Sequence, residues 1–274
     1  MSVTRFAPSP TGLLHLGHAF AALTAAAAGD HFHVRIEDLD QTRAREEYVA
    51  AIFEDLTWLG LRWEEPVLRQ SARLAAYRAA LTALDAEGLT YPCFCSRKGI
   101  AEEIARAIEA PSGPDGPLYP GTCRALSPME AGARIARGEA YALRLNAAKA
   151  AGRAGPLRFI EQGQSIAVEP LLFGDVVLAR KDVPAAYHLA VVVDDAFQGV
   201  TLVTRGQDLL PASHVQRLLQ AVLGLPEPSY AHHRLILDAA GRKFSKRDGA
   251  VTLRGLREAG ETAEGLRRRL GFVA

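Results

Sequence analysis

The chain has 274 residues, of which 49% are hydrophobic and 23% are charged, and its formal net charge at pH 7 is +1. This composition is that of an ordinary globular protein and excludes an intrinsically disordered chain. A charge so close to zero neither indicates nor excludes a local basic face for a nucleic acid. The length fits one sizeable α/β domain with an insertion, because domains commonly have roughly 100–200 residues.

The sequence predicts a cytoplasmic protein without a membrane segment. Residues 1–5 lack the basic region and apolar core of a signal peptide. The longest apolar stretch, residues 19–28, is shorter than the ~20 residues needed to span a bilayer. Three cysteines crowded into one segment argue against a secreted disulfide framework.

The stretch RFAPSPTGLLHLGH, residues 5–18, predicts a strand, a turn and the start of a helix. His15 and His18 are three residues apart and so share one face of the first helical turn, while Gly17 lets a planar group approach the backbone. Unpaired N–H groups at this helix start would add a phosphate site. Two solvated or capping histidines explain this motif equally well when it is taken alone.

Residues 31–36 alternate as a strand should, and Glu37 follows at its end. Ligands of a parallel sheet lie beyond the carboxyl ends of its strands, so Arg5 and Glu37 are expected to face one pocket of a Rossmann-like fold. The carboxylate could receive the ammonium group of an amino acid, or it could be a helix-capping or surface acid. Residues 43–59 and 71–87 carry helical patterns.

Cysteines mark an irregular segment in the middle of the chain. Cys93 and Cys95 precede the Pro/Gly-rich residues 111–121, and Tyr119 and Cys123 close it. Thiolates from the two ends of this segment could bind zinc, which would stabilise a segment that has few core residues of its own. The fourth ligand could be water, an acid or Tyr119, and the alternative to a metal site is three reduced cysteines packed as small hydrophobes.

The second half of the chain contains two apolar runs. Residues 188–193, after Tyr187, predict a strand buried on both faces, and residues 200–204 predict another that ends at Arg205. Strand-like runs also occur at residues 141–145 and 176–180. Arg5 and Arg205 would be two guanidinium groups at strand ends, a pair suited to a substrate with two carboxylates, such as glutamate.

A basic loop, Lys243-Phe244-Ser245-Lys246-Arg247, lies between glycines near the end of the chain. It could close over a triphosphate and stabilise charge at the scissile phosphorus, although a short basic run is usually a solvated surface loop.

Together, the N-terminal stretch and the basic loop resemble the HIGH and KMSKS signatures of class I aminoacyl-tRNA synthetases. RFAPSPTGLLHLGH, RIEDLD at 35–40 and VTRGQDLL at 203–210 are similar to the glutamyl branch of that class. The resemblance covers residues 5–247, and the signatures depart from the pattern at Leu16, Phe244 and Arg247.

The resemblance implies an ATP-dependent enzyme that uses Mg²⁺ with ATP, and it assigns the site residues. The catalytic residues would be His15, His18, Lys243 and Lys246. ATP would be bound by His15, Gly17, His18 and Lys246. Glutamate would be bound by Arg5, Phe6, Ala7, Pro8, Ser9, Glu37, Tyr187 and Arg205. One Zn²⁺ would be held by Cys93, Cys95, Tyr119 and Cys123, so that the resemblance makes the tyrosine the fourth ligand.

The same resemblance divides the α/β chain into a Rossmann-like class I synthetase catalytic domain and an insertion. Residues 1–90 would be the first half of the catalytic domain, 91–185 a zinc-containing, acceptor-binding-like insertion, 186–250 the second half with the basic loop, and 251–274 short C-terminal helices. Helical patterns at 253–259 and 262–270 support the last assignment.

Only 27 residues follow Arg247 (274 minus 247), too few for an anticodon-reading domain. The chain thus resembles those members of the glutamyl branch that esterify glutamate to the queuosine base of tRNA(Asp). We therefore expect L-glutamate, ATP and queuosine-containing tRNA(Asp) as partners, and a monomer. The alternatives are a truncated glutamyl-tRNA synthetase that charges the 3′ end, a tRNA-independent adenylate-forming or nucleotidyl-transferring enzyme, and an inactive zinc-stabilised RNA-binding paralogue.

Overall fold

The structure is a computed structural model that describes residues 1–106, 111–180, 183–237 and 251–272. The basic loop, with Lys243 and Lys246, lies outside the described residues. Within the described ranges, no helix is both long enough and apolar enough to cross a bilayer.

Twelve strands are present in the described part of the chain. They are β1 (Val3–Phe6), β2 (His31–Ile36), β3 (Glu64–Arg69), β4 (Thr90–Cys93), β5 (Ser112–Gly113), β6 (Gly116–Pro117), β7 (Ala142–Leu145), β8 (Arg158–Glu161), β9 (Gln164–Ala167), β10 (Val177–Arg180), β11 (Leu202–Gly206) and β12 (Ser229–His233).

Ten α-helices connect or flank these strands in the same described ranges. They are α1 (Leu16–Ala28), α2 (Glu46–Trp58), α3 (Leu74–Ala86), α4 (Arg97–Arg106), α5 (Pro128–Ala136), α6 (Ala147–Ala154), α7 (Tyr187–Phe197), α8 (Ala212–Leu223), α9 (Leu253–Glu258) and α10 (Ala263–Leu270).

A parallel sheet brings the two ends of the sequence together. β1, β2 and β3 pair in that order, and β11 pairs with β12. The two groups meet where the Thr201 N–H donates to the Val3 carbonyl at 3.0 Å and the Val3 N–H donates to Thr201 Oγ1 at 2.9 Å. The carboxyl ends of β1, β2 and β11 therefore lie at the same edge, and the predicted Rossmann-like α/β fold is confirmed.

The helices of the first half form where the sequence predicts them. α2 and α3 lie within the predicted ranges 43–59 and 71–87. Ile52 and Leu56 of α2 are fully buried in a core that also contains Leu23 of α1 and Val34 of β2. This core covers one face of the sheet and holds the start of α1 in place.

The predicted strand at residues 188–193 is wrong, because this run lies in helix α7. Residues 189–192 are all buried, and α7 packs against α3, α8 and β10. An element that is covered on several sides shows no polar face, so its apolar run has the same pattern in a buried helix and in a buried strand. The predicted strand at 200–204 is confirmed as β11, which is shifted by two residues.

The middle of the chain contributes to two sheets. β4, β7 and β10 form an antiparallel sheet, which confirms the strands predicted at 141–145 and 176–180. β8 and β9 form a hairpin that the sequence did not predict, and β8 pairs in parallel with β12 of the catalytic sheet. The hairpin thus brings Glu161 beside the pocket edge of the second half, while the proposed domain division stays a prediction.

The C-terminal helices α9 and α10 confirm the helical patterns near the end of the sequence. Each begins at a threonine whose hydroxyl accepts a backbone N–H, at Thr252 and Thr262. The Leu253 N–H donates to the Leu14 carbonyl at 2.8 Å. α9 therefore begins against the backbone that leads into His15.

Candidate active site

A cavity of about 520 Å³ opens at the edge where the parallel strands end. Strands β1 and β11, the start of α1 and the segment after β12 supply its walls. The lining includes every predicted glutamate- and ATP-binding residue that the structure describes: Arg5, Phe6, Ala7, Pro8, Ser9, His15, Gly17, His18, Glu37, Tyr187 and Arg205. Residues dispersed over 200 positions of sequence therefore meet in one pocket.

His15 and His18 cap the start of α1 and stack on each other, with ring centroids 3.8 Å apart. The Gly17 N–H donates to His15 Nδ1 at 3.1 Å, and the His15 N–H donates to His18 Nδ1 at 3.2 Å. The expectation of unpaired N–H groups here is wrong for Gly17, and also for His18, whose N–H donates to the His15 carbonyl. Because both Nδ1 atoms accept, Nε2 carries the proton in each neutral ring.

The His15 ring approaches Gly17 closely. A Cβ at position 17 would lie 3.1 Å from His15 Cε1 and 3.2 Å from Nδ1. These contacts are tight, so the ring would have to move away from the position in which its Nδ1 accepts the Gly17 N–H. The glycine thus keeps the His15 ring against the helix start, in addition to leaving space at the pocket.

The guanidinium of Arg5 is bound inside the protein by a carboxylate. Its Nε donates to Asp195 Oδ1 at 3.0 Å, and Asp195 also accepts from Arg35 Nη1 at 2.7 Å. Burial alone would raise the pKa of Asp195, but the two guanidinium groups hold it below its usual value. The charge of Arg5 is therefore partly offset by a carboxylate that it shares with Arg35.

Glu37 lies at the end of β2, with 12% of its side chain exposed and Oε1 3.5 Å from Arg35 Nη2. Burial raises the pKa of Glu37 above its usual value, and Arg35 and Arg5 offset only part of this effect. A cationic ligand stabilises the charged form of such a buried carboxylate, because the ligand compensates for the hydration lost on burial. The site is thus suited to an ammonium group.

Arg205 is held differently from Arg5. Its three guanidinium nitrogens donate to His232 Nε2, Gln216 Oε1 and Ser213 Oγ at 3.0, 2.8 and 2.7 Å. These partners among the described residues are neutral, and the arginine is only 5% exposed. Its positive charge is therefore available to a carboxylate in the cavity.

Tyr187 lines the cavity as the first residue of helix α7, not as a strand residue. Its side chain is 39% exposed. Tyr187 lies at the first position of the helix and lines the pocket, whereas residues 189–192, further along the helix, are buried in the core.

The three cysteines form a cluster that can hold a metal. The Sγ atoms of Cys93, Cys95 and Cys123 all lie within 4.8 Å of one another, and two of them are 3.5 Å apart. Tetrahedral zinc with Zn–S bonds of about 2.3 Å would need sulfurs roughly 3.8 Å apart, so the set fits. Tyr119 Oη lies 3.6 Å from Cys95 Sγ and accepts the Cys123 N–H at 2.9 Å.

Sequence reasoning missed the residues that hold the two arginines. Asp195 follows an apolar run, a position at which carboxylates often mark a strand end, but it was not assigned a partner. His232 and Glu161 carried no local signal, because Glu161 lies in an unpredicted hairpin 71 positions away from His232. The cavity also includes hydrophobic walls that were not predicted, at Phe20, Leu209, Leu235 and Ile236.

Comparison with known proteins agrees with this geometry. The sequence family described as tRNA synthetases class I (E and Q), catalytic domain, matches residues 1–272. A glutamyl-Q tRNA(Asp) synthetase from Rhodobacter capsulatus is 48% identical, over 98% of this chain and 100% of that protein. Another from Nocardia farcinica is 46% identical, over 95% of this chain and 80% of that protein.

The fold is also similar to a crystal structure of a glutamate tRNA ligase from Elizabethkingia meningosepticum in complex with its amino acid. The TM-score is 0.79 at 27% identity, over 98% of this chain. The chain spans 60% of the length of that ligase. With a family match over almost all residues and near-half identity to full-length relatives, the chain belongs to the glutamyl-Q tRNA(Asp) synthetases, within the catalytic-domain family of the class I glutamyl and glutaminyl tRNA synthetases.

Proposed function

We propose that the protein activates L-glutamate with ATP and transfers the glutamyl group to the queuosine base of tRNA(Asp). In the first step a carboxylate oxygen of glutamate attacks the α-phosphorus of ATP, and pyrophosphate leaves. In the second step a hydroxyl of the queuosine cyclopentene-diol attacks the mixed anhydride, loses its proton, and AMP leaves. The likeness to a glutamyl-Q tRNA(Asp) synthetase over the whole chain is the observation that carries this proposal.

The charges of the cavity support glutamate as the amino acid. Arg205 offers a guanidinium with neutral partners, and Glu37 offers a buried carboxylate for the ammonium group. Arg5, Tyr187 and the backbone of residues 6–9 complete the proposed amino-acid site. A neutral side-chain amide would bind the Arg205 guanidinium less strongly than a carboxylate does, so the site favours glutamate over glutamine.

The start of α1 supports ATP as the second substrate. His15, Gly17 and His18 line the cavity, and both histidines are oriented by their Nδ1 acceptor bonds, so each Nε2–H can donate to phosphate oxygens. Lys243 and Lys246 are assigned to phosphate charge from the sequence alone. Mg²⁺ would accompany ATP. Positioning and charge stabilisation would supply most of the rate, as in other phosphoryl chemistry.

We further propose that the cysteine cluster binds one structural Zn²⁺ with Tyr119 as the fourth ligand. The phenol oxygen is beside Cys95 Sγ, and the Arg144 guanidinium lies 3.9 Å from the Tyr119 ring centre. The cluster joins β4 to the loop before α5, where the buried set around it is small: Tyr91, Cys93 and Cys123. A metal there would supply stability that the local core lacks.

Two assays test the proposed function. ATP–pyrophosphate exchange should depend on glutamate and should be at background with glutamine or aspartate. Labelled glutamate should then be transferred to tRNA(Asp) that carries queuosine, and not to the same tRNA with guanosine at that position. Equal transfer to both tRNAs would overturn the queuosine proposal and favour charging at the 3′ end.

A further inference from the structure

We propose that His232 and Glu161 are positioning residues for the glutamate site, because they fix the Arg205 guanidinium without neutralising it directly. The inference rests on the proposed role of Arg205 in binding a carboxylate. It assigns a function to the β8–β9 hairpin, which supplies Glu161 to the pocket edge.

The three residues form a continuous hydrogen-bonded chain. Arg205 Nε lies 3.0 Å from His232 Nε2, and His232 Nδ1 lies 2.6 Å from Glu161 Oε2. The His232 N–H also donates to Glu161 Oε1 at 2.9 Å, so the carboxylate is held at both oxygens. Because a guanidinium can only donate, Nε2 must accept, and the imidazole proton must lie on Nδ1. The neutral His232 tautomer with its proton on Nδ1 therefore satisfies both of these ring hydrogen bonds.

A histidine in this place does what a carboxylate could not do. Asp195 binds Arg5 directly, whereas Arg205 is linked to the Glu161 carboxylate only through the imidazole ring of His232. Gln216 and Ser213 accept from the other two nitrogens, so each guanidinium nitrogen donates to one neutral acceptor. The side chain is thereby rigid but still positive, which is the state that favours an incoming carboxylate.

We expect the hydrogen bonds between Arg205, His232 and Glu161 to be sensitive to acid. Charged or titratable groups on three strands lie beside His232: Arg205 on β11, Glu161 on β8, and Tyr230 and His233 on β12. Burial and Arg205 hold the pKa of His232 below its usual value, and Glu161 opposes them in part. Protonation would remove the acceptor of Arg205 and place a second cation against it. Protonation of His232 should therefore weaken glutamate binding at acid pH, in addition to the loss caused by protonation of Glu37, whose pKa is raised by burial.

The kinetic test compares two substitutions of His232 in glutamate-dependent pyrophosphate exchange. His232→Leu removes the acceptor and should raise the KM for glutamate about tenfold or more, while His232→Gln keeps an acceptor oxygen and should recover part of this loss. The KM for ATP should change less than about twofold in both. His31→Gln is the matched control, because His31 contacts Glu64 at 2.9 Å in an exposed pair outside the cavity. A normal glutamate KM in folded His232→Leu, or an equal rise in both KM values, would overturn the proposal.

A second measurement does not depend on activity. ¹⁵N NMR of the labelled imidazole in the full-length protein should show a neutral His232 ring protonated at Nδ1, and Glu161→Gln should weaken this preference. A ring protonated at Nε2, or an imidazolium at neutral pH, would contradict the inference. If the wild-type protein shows no glutamate-dependent exchange, the proposed function fails, while the NMR result still decides whether the chain of hydrogen bonds exists.

Discussion

Asp195 binds Arg5 across 190 positions of sequence, with 3.0 Å between Arg5 Nε and Asp195 Oδ1. The contact joins helix α7 of the second half to strand β1 of the first, and Arg5 itself lines the cavity. The same carboxylate accepts from Arg35 on β2, so one buried anion holds two buried cations in the floor of the site. We expect this group to help fix the relative position of the two halves, together with the hydrogen bonds between Val3 and Thr201.

Asp195→Asn should destabilise the protein strongly, because it leaves two buried guanidinium groups with no full countercharge between them. We expect a loss of about 3–5 kcal/mol in the free energy of unfolding, measured in urea at pH 7. The pKa of Asp195 is below its usual value in the fold. Its contribution is therefore present above the unfolded pKa of about 3.9 and is lost as the pH falls through the lower folded value.

Asp30→Asn is the control for this variant, because Asp30 is an exposed acid that contacts Ser2. It should leave the unfolding free energy nearly unchanged. A loss below about 1 kcal/mol in Asp195→Asn would show that the buried triad does not hold the two halves together.

His18→Asn separates the structural role of His18 from its proposed catalytic role. The amide oxygen of asparagine can accept the His15 N–H in place of Nδ1, so the helix start should keep its cap and lose less than about 1 kcal/mol. The imidazole Nε2–H is lost, and pyrophosphate exchange should fall by about 10²–10³-fold, as expected for a removed oxyanion donor. Near-normal exchange in this variant would remove His18 from the phosphate site. His31→Asn, at the start of β2, should leave the rate unchanged.

Cys95→Ser should remove the proposed zinc site. Elemental analysis should give about one zinc per wild-type chain and almost none in the variant, together with a lower midpoint of thermal unfolding. Tyr119→Phe should keep the three sulfurs but lose zinc at lower chelator concentration, whereas Tyr141→Phe, an exposed tyrosine, should behave as wild type. Unchanged chelator resistance in Tyr119→Phe would show that another group completes the coordination.

Asp55→Asn should stabilise the protein at high pH. Asp55 lies fully buried on α2, neither of its side-chain oxygens has a hydrogen-bond partner, and the Arg257 guanidinium is 3.7 Å away. Burial raises the pKa of Asp55 to about 6, although Arg257 opposes the rise. The folded state therefore holds a proton that the unfolded state has already lost between about pH 4 and pH 6, and stability falls with pH across that window.

The comparison of Asp55→Asn with wild type at pH 8 and pH 4 measures this effect. The change in the free energy of unfolding caused by Asp55→Asn should be more favourable at pH 8 than at pH 4 by about 2–3 kcal/mol, since one pKa unit corresponds to about 1.4 kcal/mol. Glu47→Gln, which changes an exposed acid in the first turn of the same helix, should show little dependence on pH. A constant difference between Asp55→Asn and wild type at the two pH values would contradict the account of the buried carboxyl.

The placement of Arg5, His15, His18 and Glu37 at one edge could be predicted from local rules, whereas the resemblance alone assigned Tyr187 to the pocket. A strand that ends in a proline-rich turn, a glycine between two histidines and an acid after an alternating strand each fix where one side chain lies relative to a sheet edge. The resemblance to the glutamyl branch then supplied their proposed roles. The cavity contains these residues together, from Arg5 to Arg205.

The remaining features could not be predicted, because they depend on contacts between distant segments. The apolar run of helix α7 predicts a strand, because residues buried on several sides show no helical periodicity. Asp194 and Asp195 bind arginines more than 100 positions away, which the local sequence does not indicate. The Glu161–His232 contact requires β8 to pair with β12. No local periodicity specifies such a pairing.

The most direct test of the proposed function locates the transferred glutamate. The purified protein is incubated with ATP, labelled glutamate and queuosine-containing tRNA(Asp), and the product is cut with a nuclease. Label is expected on the anticodon fragment, as an ester of the queuosine diol. Label on the 3′-terminal adenosine would contradict the proposed function and make the protein a glutamyl-tRNA synthetase of the 3′ end.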